Sequence, residues 1–257
     1  MKYKQVIQVI TSTVYALGLL VGVTQDDKLM SKAENSSSDN SEFKIPEESR
    51  PGDRGDAGNR GDDSCPPIEK PLLALVPQTN FGYTLVSNPT FWLCIPDDSK
   101  SINFTLMDEA TKHKIYQTKF NIESERGIIS VKLPSAPPLE VGREYHWAFV
   151  LDYGDGAEDL LVDGVVKRVT ANDSLTSRLN SATTVMEKID IYAENGLWHE
   201  TITELGNLRR SHPDDVAIAS RWNSLLQQDR IRFEDYDLTS EQIQDCYDVG
   251  GSTVALA

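Results

Sequence analysis

Basic residues are scarce in this chain. Its 257 residues include 25 lysines and arginines against 40 aspartates and glutamates, which gives a formal net charge of −15 at pH 7. Binding to nucleic acid or to anionic lipid needs concentrated positive charge. The deficit therefore argues against both kinds of partner, and we interpret the acidity mainly as a source of solubility.

Cysteines are also few. The sequence contains three, Cys65, Cys94 and Cys246, with no C-x-x-C pair and no histidine close to any of them. Zinc sites need such ligands at close spacing, so we predict no metal site. A disulfide between Cys65 and Cys94 would suit an oxidising compartment, and two separate thiols fit the sequence equally well.

Catalytic motifs are absent. The sequence has no G-x-S-x-G, no H-E-x-x-H and no glycine-rich phosphate loop after a strand. Its histidines fall on separate predicted elements, and the adjacent His199 and Glu200 point to different faces of one helix. We therefore predict no catalytic residue and no cofactor, although carboxylates that are paired only in the fold escape a sequence search.

The N-terminus has the pattern of an export segment. Lys2 and Lys4 precede an apolar stretch from Val6 to Val23, and two aspartates follow. We predict that residues 1–23 form an export signal. No A-x-A cleavage site occurs, so an uncleaved membrane anchor remains an alternative, although the polar residues at positions 8 and 11–13 make it a marginal span. A cytosolic amphipathic helix fits least well.

Residues 24–64 are rich in Ser, Asp, Glu, Asn and Gly and nearly free of large apolar side chains. Such a stretch cannot offset its ordering entropy by burial, so we predict a disordered acidic tether. It contains two RGD tripeptides, Arg54-Gly55-Asp56 and Arg60-Gly61-Asp62, which in other settings bind integrins. Triplets of this kind arise easily in a Gly/Asp/Arg-rich segment, so we do not predict adhesion.

Short apolar runs separated by turn residues fill residues 65–170. Their spacing predicts a seven-stranded antiparallel sandwich of the immunoglobulin or fibronectin type III kind, within an α+β, mainly β chain. One strand, over residues 160–169, carries a predicted bulge at Asp163-Gly164. The other six predicted strands are Pro71–Val76, Thr90–Ile95, Ile102–Met107, Lys114–Ile122, Ile128–Leu133 and Glu144–Asp152.

The strand that begins at Glu144 has the largest apolar face. Tyr145, Trp147 and Phe149 alternate with smaller residues, which predicts that these aromatics face the core. The spacing Leu139-x-x-Gly142-x-x-Tyr145 resembles a tyrosine corner. We therefore predict a structural corner made by Gly142, Tyr145 and Trp147.

An acidic run follows that strand. Converging carboxylates could bind calcium, but the spacing matches no EF-hand, and turns in an acidic protein produce such runs freely. We therefore predict no metal here. The run consists of Asp152, Asp155, Glu158, Asp159 and Asp163.

Apolar residues at helical spacing predict helices in residues 171–232. We expect one helix from Asp173 or Ser174 to Asn195-Gly196, a second over Leu197–Arg210 and a third after Asp214 or Asp215. Residues 182–215 resemble one tetratricopeptide repeat, and one repeat cannot form a peptide groove. We predict a helical subdomain packed on the sandwich. Residues 233–257 are expected to be a largely disordered tail with a short helix around 240–246.

Several of these segments together resemble a family. They are Pro89-Thr90-Phe91-Trp92 with Pro96, Leu73–Pro77, Gly127–Pro134, Pro138–Gly142 with Tyr145 and Trp147, Gly164 with Arg168, and Gly196-Leu197-Trp198 with Leu205 and Leu208-Arg209. The pattern, from about Cys65 to Leu226, resembles the cyanobacterial family known as domain of unknown function 928. The resemblance implies export and implies no activity.

The expected function is therefore that of an exported, non-catalytic binding or structural module of the cell envelope. An envelope protein or a glycan is the expected partner, and contact with the membrane is expected only through residues 1–23 if they remain uncleaved. The alternative is a carbohydrate-binding or hydrolytic envelope protein that uses carboxylates and exposed aromatics, with Trp92 and Trp198 as candidates.

Overall fold

A computed structural model describes residues 42–55, 72–96, 101–122, 127–135, 137–152, 159–233, 238 and 243–248. All of them belong to one unit, Asn40–Ala257. The predicted export segment at residues 1–23, residues 24–41 and 56–64 of the predicted tether, and Cys65 lie outside these ranges.

The described residues contain nine strands and four helices. The strands are β1 (Leu73–Ala74), β2 (Phe81–Thr84), β3 (Thr90–Ile95), β4 (Ser101–Asp108), β5 (Lys114–Asn121), β6 (Gly127–Lys132), β7 (Glu144–Asp152), β8 (Leu160–Arg168) and β9 (Ile243–Asp248). The helices are α1 (Asp173–Ser181), α2 (Val185–Glu194), α3 (Trp198–Ser211) and α4 (Val216–Gln227).

The strands form two sheets, one with the order β1-β3-β6-β9 and the other with the order β2-β8-β7-β4-β5. The fold is mostly β, as predicted, but both sheets are mixed. Strand β2 runs parallel to β8, and β9 runs parallel to β6. The predicted seven-stranded antiparallel arrangement lacks both of these strands. Parallel partners need long crossover connections, and local periodicity carries no signal for such a connection.

Strand β3 of the four-stranded sheet lies between the other sheet and α4. On one face of β3, the ring of Phe91 lies 5.3 Å from that of Trp147 and 5.7 Å from that of Phe149 in the five-stranded sheet. The next residue, Trp92, points the other way and lies 6.1 Å from Trp222 of α4. Burial on both faces explains why β3 reads TFWLCI, a nearly unbroken apolar run.

Two helices occupy the region where one long helix was predicted. Thr184 and Glu187 form a capping box, in which each side chain accepts a hydrogen bond from the other residue's backbone amide. This arrangement starts α2 as a new helix after α1 ends at Ser181. Gly196, with φ of +68°, then ends the turn between α2 and α3.

Residues 42–55, hereafter the strap, differ from the expected flexible tether. Phe43 is buried against Trp198, with ring centroids 5.1 Å apart, and the amide of Lys44 donates to the carbonyl of Ala193 at 2.9 Å. At the other end of the strap, the amide of Asp163 donates to the carbonyl of Asp53 at 2.7 Å. The low average hydrophobicity of the segment concealed these few anchoring contacts.

The C-terminal region also differs from the prediction. A strand, β9, pairs with β6 where a short helix in a disordered tail was expected, and the ring of Tyr247 lies 5.5 Å from that of Phe120. Within the described ranges, none of the helices has both the length and the apolar character needed to cross a bilayer.

Candidate functional site

A groove of about 430 Å³ runs between α3 on one side and the β2–β3 turn with parts of β3 and β6 on the other. One wall contains Val86, residues 88–90, Ser130 and Lys132, and the other contains five α3 residues between His199 and Asn207. Positions 200, 203, 204 and 207 share one helical face, because residues three and four apart lie one above the other. The opposite face of α3, which carries Ile202 and Leu205, is buried in the core. We call this feature the α3 groove.

Glu200 connects the floor of the groove to the turn between β2 and β3. One carboxyl oxygen, Oε1, accepts hydrogen bonds from the hydroxyl of Thr84 at 2.8 Å and from the amide of Leu85 at 2.7 Å. Among the described residues, the other oxygen, Oε2, has no hydrogen-bond partner. Burial raises the pKa of this carboxyl above its ordinary value, although the bonds from Thr84 and Leu85 favour the ionised form.

His199 lies beside Glu200 in sequence but contacts different strands, in agreement with the prediction that the two side chains point apart. Its Nδ1 lies 3.3 Å from the carbonyl oxygen of Thr90, and its ring packs edge-on against Phe91 at 5.1 Å. A Cβ atom at Gly82 would lie 3.0 Å from its Nε2. Complete burial lowers the pKa of the imidazole to about 4, so the ring is neutral near pH 7 and acts as a packed core residue.

Two hydroxyl groups of the groove are held by aromatic and cationic neighbours. The hydroxyl of Ser130 accepts from the Arg210 guanidinium at 2.7 Å, and the hydroxyl of Thr203 accepts from the indole Nε1 of Trp92 at 3.1 Å. The Arg210 guanidinium also lies 5.2 Å from the centre of the Trp92 ring. These contacts hold the floor of the groove in one arrangement.

The predicted corner residues lie on β7 and in the turn before it, outside the set that lines the groove. The amide of Glu140 donates to Tyr145 Oη at 2.9 Å, and Gly142, with φ of +83°, donates its amide to the carbonyl of Arg168 at 2.7 Å. Arg168 in turn donates to the carbonyls of Leu139 at 2.7 Å and Leu85 at 3.2 Å. The corner therefore supports the same β2–β3 turn that Glu200 holds.

Trp147 is buried against β8. The pairing of β7 and β8 passes through Trp147 and Gly164 without a register shift, so the predicted bulge at Asp163-Gly164 is not present. A Cβ atom at Gly164 would lie 2.6 Å from Cζ2 of Trp147. Glycine is needed there to make room for the indole ring.

The tryptophans do not form an exposed binding surface. All four are at most 2% exposed, including the two candidates Trp92 and Trp198. The indole of Trp198 donates to the carbonyl of Leu75 at 2.9 Å inside the core. A sugar cannot stack on rings in these positions, so the version of the carbohydrate hypothesis that relies on exposed tryptophans is wrong.

The first RGD tripeptide is anchored in the core. Arg54 is 2% exposed, and its guanidinium donates to the carbonyls of Val76, Ile231 and Arg232. An arginine held in this way is not available to a receptor. Asp56 and the second tripeptide lie outside the described residues.

The remaining candidates are placed only in part. Cys94 is buried in β3, and because Cys65 lies outside the described residues, their disulfide stays a prediction. In the acidic run, Asp152 pairs with Lys119 at 2.9 Å and Asp163 pairs with His146 at 2.8 Å. Across the described ranges, no group of three or more His, Cys, Asp or Glu residues could hold a metal ion.

Sequence reasoning missed the groove. Its walls come from positions about 70 to 120 residues apart along the chain, and they meet only after α3 docks on β2 and β3. The one local signal was a helix whose polar face includes Glu200, Thr203, Glu204 and Asn207, and such a face normally contacts water.

Comparison with known proteins places the chain in a family. The model of a family described as Domain of Unknown Function (DUF928) matches residues 55–241. No curated protein matches the chain. Among solved structures, a lytic polysaccharide monooxygenase from Jonesia denitrificans, determined by neutron crystallography, aligns at 9% identity with a TM-score of 0.25. The alignment covers 34% of this chain and 56% of that chain, and a score this low establishes no shared fold.

Proposed function

Because the chain belongs to the Domain of Unknown Function (DUF928) family, which brings no assigned activity, we propose a function from the site: a non-catalytic binding module of the cell envelope. Its ligand enters the α3 groove. The observation that carries this proposal is a preformed groove of about 430 Å³, which falls within the range of roughly 300–1,000 Å³ that is usual for ligand sites.

The rigidity of the groove supports binding. The two hydroxyls of its floor, Ser130 and Thr203, are fixed by Arg210 and Trp92, and Glu200 ties α3 to the β2–β3 turn. A site whose walls are already in place loses little conformational entropy when a ligand binds. Fixed walls around a groove therefore favour a binding module over a purely structural domain.

The envelope location rests on the sequence. Residues 1–23 have the basic start and apolar stretch of an export segment, and a net charge of −15 suits a soluble protein beyond the membrane. We expect fractionation of the native cells to recover the chain with the periplasm and envelope. Recovery of the full-length chain from the cytosol alone would contradict this part of the proposal.

A bulky side chain at the mouth of the groove tests the binding function. Asn207 is exposed on α3, so Asn207→Trp would fill the groove without entering the core. The matched control is Asn180→Trp on an exposed position of α1. Affinity capture with full-length protein from solubilised native envelope should recover a ligand with wild type and with the control, and recover none with Asn207→Trp. Equal recovery by all three proteins would show that the groove is not the binding site.

A hydrolytic role is the second candidate, and one observation favours it. Glu200 and Glu204 line the same groove, and burial raises the pKa of the Glu200 carboxyl, as a general acid requires. Against it, Oε1 of Glu200 already accepts bonds from the β2–β3 turn. Release of reducing ends from envelope polysaccharide by wild type, and its loss in Glu200→Gln and Glu204→Gln, would establish hydrolysis in place of simple binding.

A further inference from the structure

The α3 groove offers hydrogen-bond acceptors on one wall and donors on the other. Glu204 and the oxygen of Asn207 supply acceptors along α3, while Lys132 and the amide of Asn88 supply donors on the opposite wall. The hydroxyl of Thr203 accepts from Trp92, and an accepted bond does not use the hydroxyl's own hydrogen. A ligand that both donates and accepts hydrogen bonds can therefore bind to both walls.

The two walls of the groove carry side chains of opposite charge. Carboxyl groups lie on the α3 wall, and Lys132 lies at the end of β6 on the other wall. A cation would meet Lys132, and an anion would meet Glu204 within a chain whose net charge is −15. A strongly charged ligand of either sign is therefore disfavoured relative to a neutral ligand.

Glu200 adds an independent observation at the floor of the groove. The residue is 8% exposed, and among the described residues Oε2 has no hydrogen-bond partner. A buried polar atom without a partner is unfavourable. The same carboxyl would pair poorly with a cation, because burial favours its neutral form.

We infer that the α3 groove binds a neutral oligosaccharide through its hydroxyl groups. This inference rests on the proposed binding function and gives it a ligand class. Sugar hydroxyls both donate and accept, which matches acceptors on one wall, Glu204 and Asn207, and donors on the other, Asn88 and Lys132. No Phe, Tyr or Trp is among the groove's described lining residues, so recognition depends on hydrogen bonds and not on stacking.

Titration of the full-length chain with defined probes tests the ligand class. The neutral probes are cellohexaose, maltohexaose and chitohexaose, and the charged probes are spermidine and hexagalacturonic acid. Amide chemical shifts report where each probe binds. We expect a neutral hexasaccharide to shift amides of residues 88–90, 130–132 and 200–207, with an affinity that does not change between 0.05 M and 0.5 M salt, because no charge pair is being screened.

Matched variants strengthen the test. Asn207→Ala should weaken binding of the neutral hexasaccharide about fivefold to tenfold, the loss expected for one hydrogen bond. Asn180→Ala, exposed on α1, should leave the affinity unchanged. Equal affinities in the two variants would overturn the inference, since the groove would then not hold the sugar.

The outcomes separate this inference from the proposed function. If spermidine or hexagalacturonic acid shifts the groove amides and no neutral sugar does, the ligand class is wrong and the binding function stands. If no probe shifts them, the inference is overturned, and capture that is sensitive to Asn207→Trp still decides the binding function. If Asn207→Trp captures as much ligand as wild type and no sugar binds, both the inference and the proposed binding function are overturned.

Discussion

His199 and Glu200 show how burial acts on two neighbouring side chains in opposite directions. Both lie within the first turn of α3, and both are less than 10% exposed. Burial disfavours the charged form of each group, which lowers the pKa of the imidazole and raises the pKa of the carboxyl. Near pH 7 the pair therefore places at most one charge, that of an ionised Glu200, at the base of the groove.

The pKa of His199 predicts how stability responds to acid. The folded protein holds the pKa near 4, against an ordinary value of 6.5, so the unfolded chain binds the proton more readily. The contribution of the neutral His199 ring to the free energy of unfolding is fully present above pH 6.5 and is lost as pH falls toward 4. The total loss is about 3 kcal/mol, at about 1.4 kcal/mol for each unit of pKa shift.

His199→Asn should remove that dependence, because the amide keeps a donor near the carbonyl of Thr90 and does not titrate. Urea unfolding at intervals from pH 4 to pH 7.5 measures the free energy of unfolding of both proteins. The difference between wild type and variant should shrink as pH falls from 6.5. A difference that stays constant over this window would mean that His199 is not held neutral by burial.

Glu200 predicts the opposite trend. Since burial raises the pKa of the folded-state carboxyl above 4.5, the folded protein keeps the proton that the unfolded chain releases. The associated stability is present below pH 4.5 and is lost as pH rises through the folded-state pKa. Unfolding of wild type and Glu200→Gln from pH 4 to pH 8 should show wild type losing stability relative to the variant. His199 is common to both proteins, so its effect cancels in the comparison. If wild type instead became more stable relative to the variant as pH rises, the prediction would be contradicted.

At the scale of elements, α3 packs its interior glycine against a tryptophan of β3. A Cβ atom at Gly206 would lie 2.7 Å from Cζ2 of Trp92, whose indole is buried and bonded to Thr203. Glycine is usually unfavourable inside a helix, by about 0.5–1 kcal/mol relative to alanine. Here the close approach of helix and sheet outweighs helix propensity.

Gly206→Ala should therefore destabilise the protein by about 1–3 kcal/mol, as overpacking of a filled core does. Asn207→Ala, exposed on the next position of the same helix, should change stability by less than about 0.5 kcal/mol. Thermal and urea unfolding of the two variants make the comparison. If Gly206→Ala proved as stable as wild type, α3 would have to be able to move away from β3.

Elements with a strong local pattern could be predicted from the sequence. Strand β3 reads as a continuous apolar run because it is buried on both faces, and β7 alternates because mainly one face is buried. Strand β2, with the sequence FGYT, and β9, with the sequence IQDCYD, carry no such pattern. Their strand form depends on backbone pairing with β8 and β6, which are distant along the chain.

The candidate site was less predictable than the fold. His199 and Glu200 could be assigned to one helix with divergent side chains, but their burial depends on Thr90 and on the β2–β3 turn, more than 100 residues earlier. Partners at such separations leave no periodic signal in a single sequence. The strap was missed for the same reason, since backbone bonds and a few side chains hold it in place.

At the scale of the whole molecule, the strap joins the start of the described chain to the segment just after α4. The guanidinium of Arg54 donates to the carbonyl of Val76 at 3.1 Å and also to that of Ile231, just after α4. It lies 4.4 Å from the centre of the Phe233 ring. One buried side chain thus connects the strap, the segment after β1 and the end of the helical region, which share no local sequence contact.

Arg54→Lys should lower the free energy of unfolding by about 2–4 kcal/mol. A lysine keeps the charge but lacks the planar fork that reaches several carbonyls at once, so buried oxygens lose their donors. The matched control is Arg178→Lys, whose ion pair with Glu194 is exposed and should contribute less than about 1 kcal/mol. Urea unfolding of the full-length proteins measures both changes. Arg54 holds the strap against residues 231–233. Both segments should therefore become more sensitive to protease in Arg54→Lys, and neither should in the control. If only the strap became more sensitive to protease, it would dock independently of residues 231–233.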